Sequence, residues 1–159
     1  QEIVSQTHET AQMCLLNGRK YTVALMREGE RHFRISSDIG ENAPIPWTAS
    51  GRLLLGHLSD QQIIDLIDYD DFILPDGQRL PLETFLAQIR QATLDGFFSF
   101  DSVADTFTHC FAAPVRDAQG ISIATLCIVA PRADATKNYN DYRRVLIDSA
   151  NNLARRINE

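Results

Sequence analysis

The stretch that decides the fold is Thr106-Phe-Thr-His-Cys-Phe-Ala-Ala-Pro-Val-Arg116, followed by Asp117-Ala-Gln-Gly120 and then Ile121-Ser-Ile-Ala-Thr-Leu-Cys-Ile-Val-Ala130. Both long runs are rich in apolar and β-branched residues, which favour strands, and the four residues between them are typical of a turn. We therefore predict a β-hairpin of two antiparallel strands. Pro131 ends the second strand, because proline cannot donate a backbone hydrogen bond.

Helical patterns surround this hairpin. Apolar residues recur at three- and four-residue spacing in several segments, and Ser59 with Gln62 fits a capping box. Alternation in two runs near the N-terminus predicts a second hairpin. Hairpins combined with segregated helices predict an α+β domain with a central, mainly antiparallel sheet flanked by helices. The predicted helices span residues 3–17, 53–55, 59–67, 81–95 and 138–157, and the other predicted strands span 21–26, 32–36 and 97–100.

Composition limits the classes of function. The chain has 159 residues, enough for one domain with a substantial core, and a net charge of −6 without a cluster of basic residues, which disfavours direct DNA binding. No apolar run approaches the roughly 20 residues of a membrane span. Three cysteines without CxxC spacing argue against a disulfide scaffold and a zinc site and favour a reducing, cytoplasmic setting. The N-terminus lacks Met and signal-peptide features, so we expect a fragment or a processed form.

Two cysteines on the predicted hairpin could carry chemistry. Cys110 and Cys127 lie on its two arms and could share one face. His109 precedes Cys110, but sequence neighbours on a strand point to opposite faces, which counts against a direct base–nucleophile pair. The ordinary interpretation is two small buried or pocket-lining side chains. The motifs of nucleotide-binding enzymes, metalloproteases and serine hydrolases are absent from the sequence.

A proline-containing loop leads into an apolar helix over Gly40-Glu-Asn-Ala-Pro-Ile-Pro-Trp-Thr-Ala-Ser-Gly51-Arg-Leu-Leu-Leu55. Its join, residues 48–51, offers small side chains and unpaired backbone N–H groups. Such a join could hold a small anion, or it could be an ordinary capped helix.

Four elements in order resemble the effector-binding domain of IclR-type transcriptional regulators. They are Gly40 with Pro44 and the helix start Trp47-Thr-Ala-Ser-Gly51-Arg52-Leu; Gly96-Phe-Phe-Ser-Phe-Asp101; Cys110-Phe-Ala-Ala-Pro-Val-Arg-Asp-Ala-Gln-Gly120; and Cys127-Ile-Val-Ala-Pro131. The resemblance covers nearly all of the chain.

The resemblance implies a GAF/profilin-type fold in which residues 1–159 form one ligand-sensing domain. A winged helix-turn-helix N-terminal to it, outside this chain, would carry the DNA binding. The domain would bind a small metabolite, often an organic acid, would need no metal or cofactor, and would contribute to a homodimer or a dimer of dimers. It would work in the cytoplasm without contacting a membrane.

The resemblance also implies which residues line the effector site. Ala49 and Ser50 would present backbone N–H groups to a carboxylate, and Asp101 would hydrogen-bond a polar group. Cys127 and Val129 stand where many members have serines, and Trp47 stands where a His is common. These replacements imply a less polar or larger effector, such as an aromatic or sugar acid. The implied site residues are Ile35, Ala43, Trp47, Ala49, Ser50, Asp101, Thr108, Cys110, Cys127 and Val129.

Three functions therefore remain open. The first is a non-catalytic sensor of a bacterial transcription factor. The second is a GAF-like thiol-dependent reductase using Cys110 or Cys127, which would require an accessible thiol of low pKa. The third is a dimerisation module whose pocket is filled.

Overall fold

The centre of the domain is a six-stranded antiparallel sheet in the order β3-β2-β1-β6-β5-β4. The computed structural model describes residues 1–30, 40 and 42–159. Every pairing among the described strands is antiparallel, which confirms the predicted α+β class with its antiparallel sheet. The strands are β1 (Thr10–Asn17), β2 (Lys20–Arg27), β3 (Asn42–Ala43), β4 (Phe98–Asp101), β5 (Thr108–Arg116) and β6 (Ser122–Pro131).

Helices cover both faces of this sheet. On one face, the core contains Leu53 and Phe85 from helices packed against Cys127; on the other, Leu146 packs with Phe111 and Ile128. The helices are α1 (Glu2–Thr7), α2 (Gly51–Leu54), α3 (Asp60–Leu66), α4 (Leu82–Asp95), α5 (Arg132–Lys137) and α6 (Tyr139–Ile157), and 3-10 helices span Ile45–Trp47 and Tyr69–Phe72. Because both faces are covered, the central strands are apolar on both sides rather than alternating.

The predicted helix over residues 3–17 is wrong after its first turns. Helix α1 ends at Thr7, His8 takes a left-handed conformation with φ 61°, and β1 follows. Strand β1 lies between β2 and β6, and its side chains are buried on both faces, so the strand period of two is not visible in the sequence. The pair Asn17-Gly18, interpreted as a helix end, instead lies where β1 ends: Asn17 pairs with Lys20 of β2, and Gly18, at φ 61°, forms the turn with Arg19.

The remaining elements follow the prediction more closely. The capping box of Ser59 and Gln62 begins α3, and Gly96, at φ 63°, ends α4. The long hairpin forms between β5 and β6 with Asp117 and Gly120 in its turn. Helix α5, between β6 and α6, was missed. The predicted strand over residues 32–36 lies outside the described residues, and the described partners of β2 are β1 and β3.

Strand register gathers several predicted site residues on one face. Cys110 pairs with Phe100 on one side and with Val129 on the other. Residues two apart on a strand share a face, so Cys127 lies on the face of Val129. This face is the one that α2 and α4 cover.

Candidate functional site

A cavity of about 110 Å³ lies between this face of the sheet and the segment of residues 43–50. Strands β1 and β2 contribute Gln12 and Tyr21, and β4 contributes Phe100. Eight of the residues implied by the family resemblance line it: Ala43, Trp47, Ala49, Ser50, Thr108, Cys110, Cys127 and Val129. The structure therefore brings these eight together, although they come from distant parts of the chain.

Two of the implied residues are not placed there. Ile35 lies outside the described residues. Asp101 is absent from the cavity wall; its side chain is 61% exposed, and its Oδ1 lies 2.8 Å from Nδ1 of His109. The reason is strand alternation: Phe100 faces the cavity, so the next residue on β4 faces the other way. The hydrogen bond from His109 lowers the pKa of Asp101 below its usual value, with a further lowering from Arg132.

The carboxylate that does line the cavity belongs to Asp105. Its Oδ1 accepts hydrogen bonds from the backbone N–H groups of Phe107 and Thr108, at 3.0 and 2.8 Å, and the hydroxyl of Thr108 donates to the same carboxylate. This is the local pattern by which an Asp caps the residues that follow it. The sequence signal for this role is an Asp three residues before the start of β5, and the family motifs do not include it.

A chain of hydrogen-bonding side chains forms the floor of the cavity. Thr125 donates from Oγ1 to Oγ of Ser50 across 2.7 Å, and that oxygen lies 3.0 Å from Sγ of Cys127. Sγ of Cys127 lies 3.9 Å from Sγ of Cys14, which in turn lies 3.0 Å from the hydroxyl of Tyr21. All five side chains are buried. Hydroxyls and thiols can both donate and accept hydrogen bonds, so these side chains can present either a donor or an acceptor to a bound molecule.

The three thiols differ in acidity. The hydrogen bond from Cys14 lowers the pKa of Cys127, against the opposing effect of burial, and the hydroxyls of Ser50 and Thr125 lower it further. The same hydrogen bond and burial raise the pKa of Cys14. Burial raises the pKa of Cys110 to about 12, so its thiolate is scarce at neutral pH. A reductase that uses Cys110 as its nucleophile is therefore disfavoured.

Arg52 holds the loop beside the cavity. It is only 2% exposed, and its Nη1 donates to the carbonyl oxygens of Pro46 and Thr48, each across 2.7 Å. Its Nε donates to Oε1 of Gln88 on α4. Burial lowers the pKa of its guanidinium to about 9. The local sequence around Arg52 carries no signal that this side chain would be buried.

Comparisons with known proteins identify the family of this chain. The family model described as bacterial transcriptional regulator IclR C-terminal matches residues 1–155. The chain belongs to this family of transcriptional regulators. The resemblance stated from the sequence motifs is thereby confirmed.

Individual relatives of this IclR-type domain include two regulators of Pseudomonas putida. The HTH-type transcriptional regulator TtgV is 26% identical over 98% of this chain and 59% of its own length. The Pca regulon regulatory protein is 27% identical over 78% of this chain and 43% of its own length. The chain thus spans about half the length of the curated relatives that it matches.

Solved structures show the same fold. The Thermotoga maritima IclR superposes with a TM-score of 0.83 over 99% of this chain and 64% of its own, at 19% identity. HmgR of Pseudomonas aeruginosa superposes with a TM-score of 0.80 over 98% of this chain and 62% of its own, at 17% identity.

Trp47 of this IclR-type domain is fixed at the edge of the cavity. Its indole Nε1 donates to the carbonyl oxygen of Ile73 across 3.0 Å. This bond ties the ring to the segment after the 3-10 helix Tyr69–Phe72, so the orientation of the ring is set by that contact.

The part of the chain that the structure describes has neither a metal-ligand cluster nor a membrane-spanning helix. Within residues 1–30, 40 and 42–159, no group of three or more His, Cys, Asp or Glu side chains is placed to hold a metal ion. The described helices include none with the length and apolarity to cross a bilayer.

Proposed function

We propose that this chain is the small-molecule-sensing domain of a bacterial DNA-binding transcriptional regulator, and that its effector occupies the cavity between the sheet and residues 43–50. The observation that carries the proposal is that eight family-implied residues line this one cavity. A concave space with mostly apolar walls and a few convergent polar groups is typical of small-molecule sites.

Polar groups at residues 49 and 50 support an effector with a hydrogen-bond acceptor. The backbone N–H groups of Ala49 and Ser50 have no acceptor among the described residues, and both residues line the cavity. An organic acid could accept from both groups through one carboxylate. We therefore propose an organic acid, with aromatic and sugar acids as the larger members of the class.

The volume favours the smallest members of that class. A cavity of about 110 Å³ is smaller than the roughly 150 Å³ engineered cavity that binds benzene. The larger effector inferred from Trp47, Cys127 and Val129 would therefore require the walls to move apart.

The wider role follows from the family. We propose that a winged helix-turn-helix outside this chain binds DNA and that the effector modulates that binding. We further propose that the domain is non-catalytic, works in the cytoplasm and assembles as a homodimer or a dimer of dimers. The relatives support the regulatory part, since both matched proteins are regulators by name. Light scattering on the purified chain tests the assembly, and a strictly monomeric species at high concentration would contradict it.

The test of the effector site is a thermal-shift screen of small organic acids, followed by calorimetric titration of any hit. A ligand at 100 times its Kd stabilises the native state by about 2.7 kcal/mol, enough for a shift of several degrees. Ala43→Phe should fill the cavity and remove the shift, whereas Ala118→Phe, in the exposed β5–β6 turn, should retain it. An Ala43→Phe variant that binds as tightly as the wild type would place the site elsewhere.

A further inference from the structure

Two thiols meet beneath the cavity. Cys14 on β1 and Cys127 on β6 have their Sγ atoms 3.9 Å apart. In the register of these strands Cys127 lies opposite Gln12 and Cys14 lies opposite Thr125, so the two cysteines are diagonal neighbours on one face of the sheet. Cys14 is fully buried, while Cys127 also lines the cavity and can be reached from it.

Hydroxyl groups surround the sulfur of Cys127. Oγ of Ser50 lies 3.0 Å from it and Oγ1 of Thr125 lies 3.6 Å from it. Because Thr125 donates to Ser50, the proton of Ser50 is free to point at the sulfur. When Cys127 ionises, Cys14 can turn its own proton toward it, so that two donors, Ser50 and Cys14, stabilise one thiolate.

We propose that Cys127 and Cys14 form an oxidation site that reacts with a small peroxide entering through the cavity. Cys127 is the thiol that attacks the oxidant, and Cys14 is the thiol that resolves the product into a disulfide. The oxidation site shares Cys127 and the cavity with the proposed effector site, but its reaction requires no effector.

The two steps balance. The Cys127 thiolate attacks one peroxide oxygen, forming an S–O bond and breaking the O–O bond; the departing hydroxide takes up the proton that the thiol lost and leaves as water. The Cys127 sulfur is now a sulfenic acid, oxidised by two electrons. Sγ of Cys14 then attacks this sulfur, forming the S–S bond and breaking the S–O bond, and its proton leaves with the oxygen as a second water. Overall two thiols are oxidised to a disulfide, and the peroxide is reduced to water.

The geometry permits both steps. The cavity of about 110 Å³ has room for a molecule of roughly the size of water, whose share of liquid volume is about 30 Å³. The two sulfurs must then approach from 3.9 Å to about 2.05 Å, which side-chain rotation can supply in part.

Cys110 is the matched control within the same cavity. It lines the same space, but no second thiol is in hydrogen-bond contact with it among residues 1–30, 40 and 42–159, and burial raises its pKa to about 12. The pKa of Cys127, in contrast, is lowered by its hydrogen bonds, first by that from Cys14. Oxidation should therefore select Cys127 over Cys110 although both face the cavity.

The experiment treats the reduced 159-residue chain with hydrogen peroxide and maps its cysteines by non-reducing peptide mass spectrometry. The expected product is a single chain without a disulfide to another chain, and its mass is lower by two hydrogen atoms. Its Cys14 and Cys127 peptides should be joined, and Cys110 should still react with an alkylating reagent. Dithiothreitol should restore the original mass. Modification of Cys110 first, or a Cys127 that remains a free thiol after Cys110 has reacted, would overturn the proposal.

Two variants separate the steps. Cys110→Ser should form the same disulfide as the wild type. Cys14→Ser should form no disulfide and should instead accumulate a sulfenic acid on Cys127 that dimedone traps. A dimedone adduct elsewhere, or none in a Cys14→Ser variant with a native circular dichroism spectrum, would contradict the assignment of the attacking thiol. If that variant does not fold, the wild-type peptide map alone decides.

Discussion

The guanidinium of Arg52 donates from Nη1 to the carbonyl oxygen of Thr48 across 2.7 Å, and Thr48 lines the cavity. The same guanidinium lies over the ring of Phe100, 5.0 Å from its centroid. Phe100, on β4, lines the cavity from the side of the sheet. One buried side chain thus connects the loop and the sheet on two sides of the proposed effector site.

Arg52→Lys should destabilise the domain although it keeps the charge. A lysine ammonium cannot reproduce the planar arrangement that serves Pro46, Thr48 and Gln88 together. Buried groups left without partners cost about 1–3 kcal/mol, so we expect a loss of about 2–3 kcal/mol in the free energy of unfolding. Urea denaturation measures it.

The matched control for this substitution is Arg155→Lys, at an exposed position in the last turn of α6. It should change the free energy of unfolding by less than about 0.5 kcal/mol. If the two substitutions changed the free energy of unfolding equally, the hydrogen bonds of Arg52 would not stabilise the packing of the loop on the sheet.

His109→Leu removes the donor and should raise the pKa of the Asp101 carboxyl toward its ordinary value, because the hydrogen bond from His109 is the largest cause of its lowering. The carboxyl carbon of Asp101, followed by NMR during an acid titration, measures the change. The control His57→Leu replaces an exposed histidine, and it should leave the titration of Asp101 unaltered.

The sign of the accompanying stability change follows from the lowered pKa of Asp101. Its ionised carboxylate stabilises the folded state above the unfolded pKa of about 3.9, and this contribution is lost as the pH falls through the lower folded pKa. The side chain is 61% exposed, so the contribution should be below about 1 kcal/mol. The His109→Leu variant should therefore be slightly less stable than the wild type above about pH 4, and urea unfolding at a series of pH values should show the difference vanish as the pH falls through the folded pKa of Asp101.

Much of the fold could be predicted from the sequence where local signals and tertiary contacts agree. The hairpin around Asp117 and Gly120 combines strand-forming runs with a turn, and its register places Cys110 near Cys127 and Val129. Most residues of the cavity could be named because the family motifs indicate which distant segments of the chain come together. The hydrophobic periodicity of a single segment carries no such information.

The misses share a physical cause, since each depends on which side of the sheet is covered. Strand β1 is buried on both faces, so its apolar residues imitate a helical stripe. Asp101 was assigned to the site from its motif, yet alternation along β4 turns it away and Phe100 toward the cavity. The burial of Arg52 depends on three aromatic rings from α4 and β4, which no local pattern indicates.

Gly51→Ala should destabilise the domain although alanine is the better helix former. The change from Gly to Ala in a helix normally gains about 1 kcal/mol. Here the added Cβ would lie 2.4 Å from the carbonyl oxygen of Ile45 and 2.7 Å from its Cγ2. Backbone must move to relieve such a contact, and overpacking costs about 1–3 kcal/mol, so the net change should be unfavourable. A rise in the melting temperature of the Gly51→Ala variant would contradict this packing.

Ser50→Ala should weaken the floor of the cavity. The hydroxyl of Ser50 accepts from Thr125, which is fully buried, and lies 3.0 Å from Sγ of Cys127. Without it Thr125 is left with the weaker sulfur acceptor of Cys127, 3.6 Å away, so we expect a loss of about 1 kcal/mol in the free energy of unfolding. Ser5→Ala, at an exposed position on α1, is the matched control and should change stability by less than about 0.5 kcal/mol.

The same Ser50→Ala variant also tests how the floor tunes Cys127. Removing the Ser50 hydroxyl takes away one of the donors that lower the pKa of Cys127. Alkylation of Cys127 by a small thiol reagent at neutral pH should therefore slow relative to the wild type, because the thiolate is the reactive form. The rate at Cys110 serves as the internal reference for cavity access, since both thiols line the same space. An equal slowing at both thiols would indicate a closed cavity rather than a changed pKa, and an unchanged rate at Cys127 would show that Ser50 does not stabilise its thiolate.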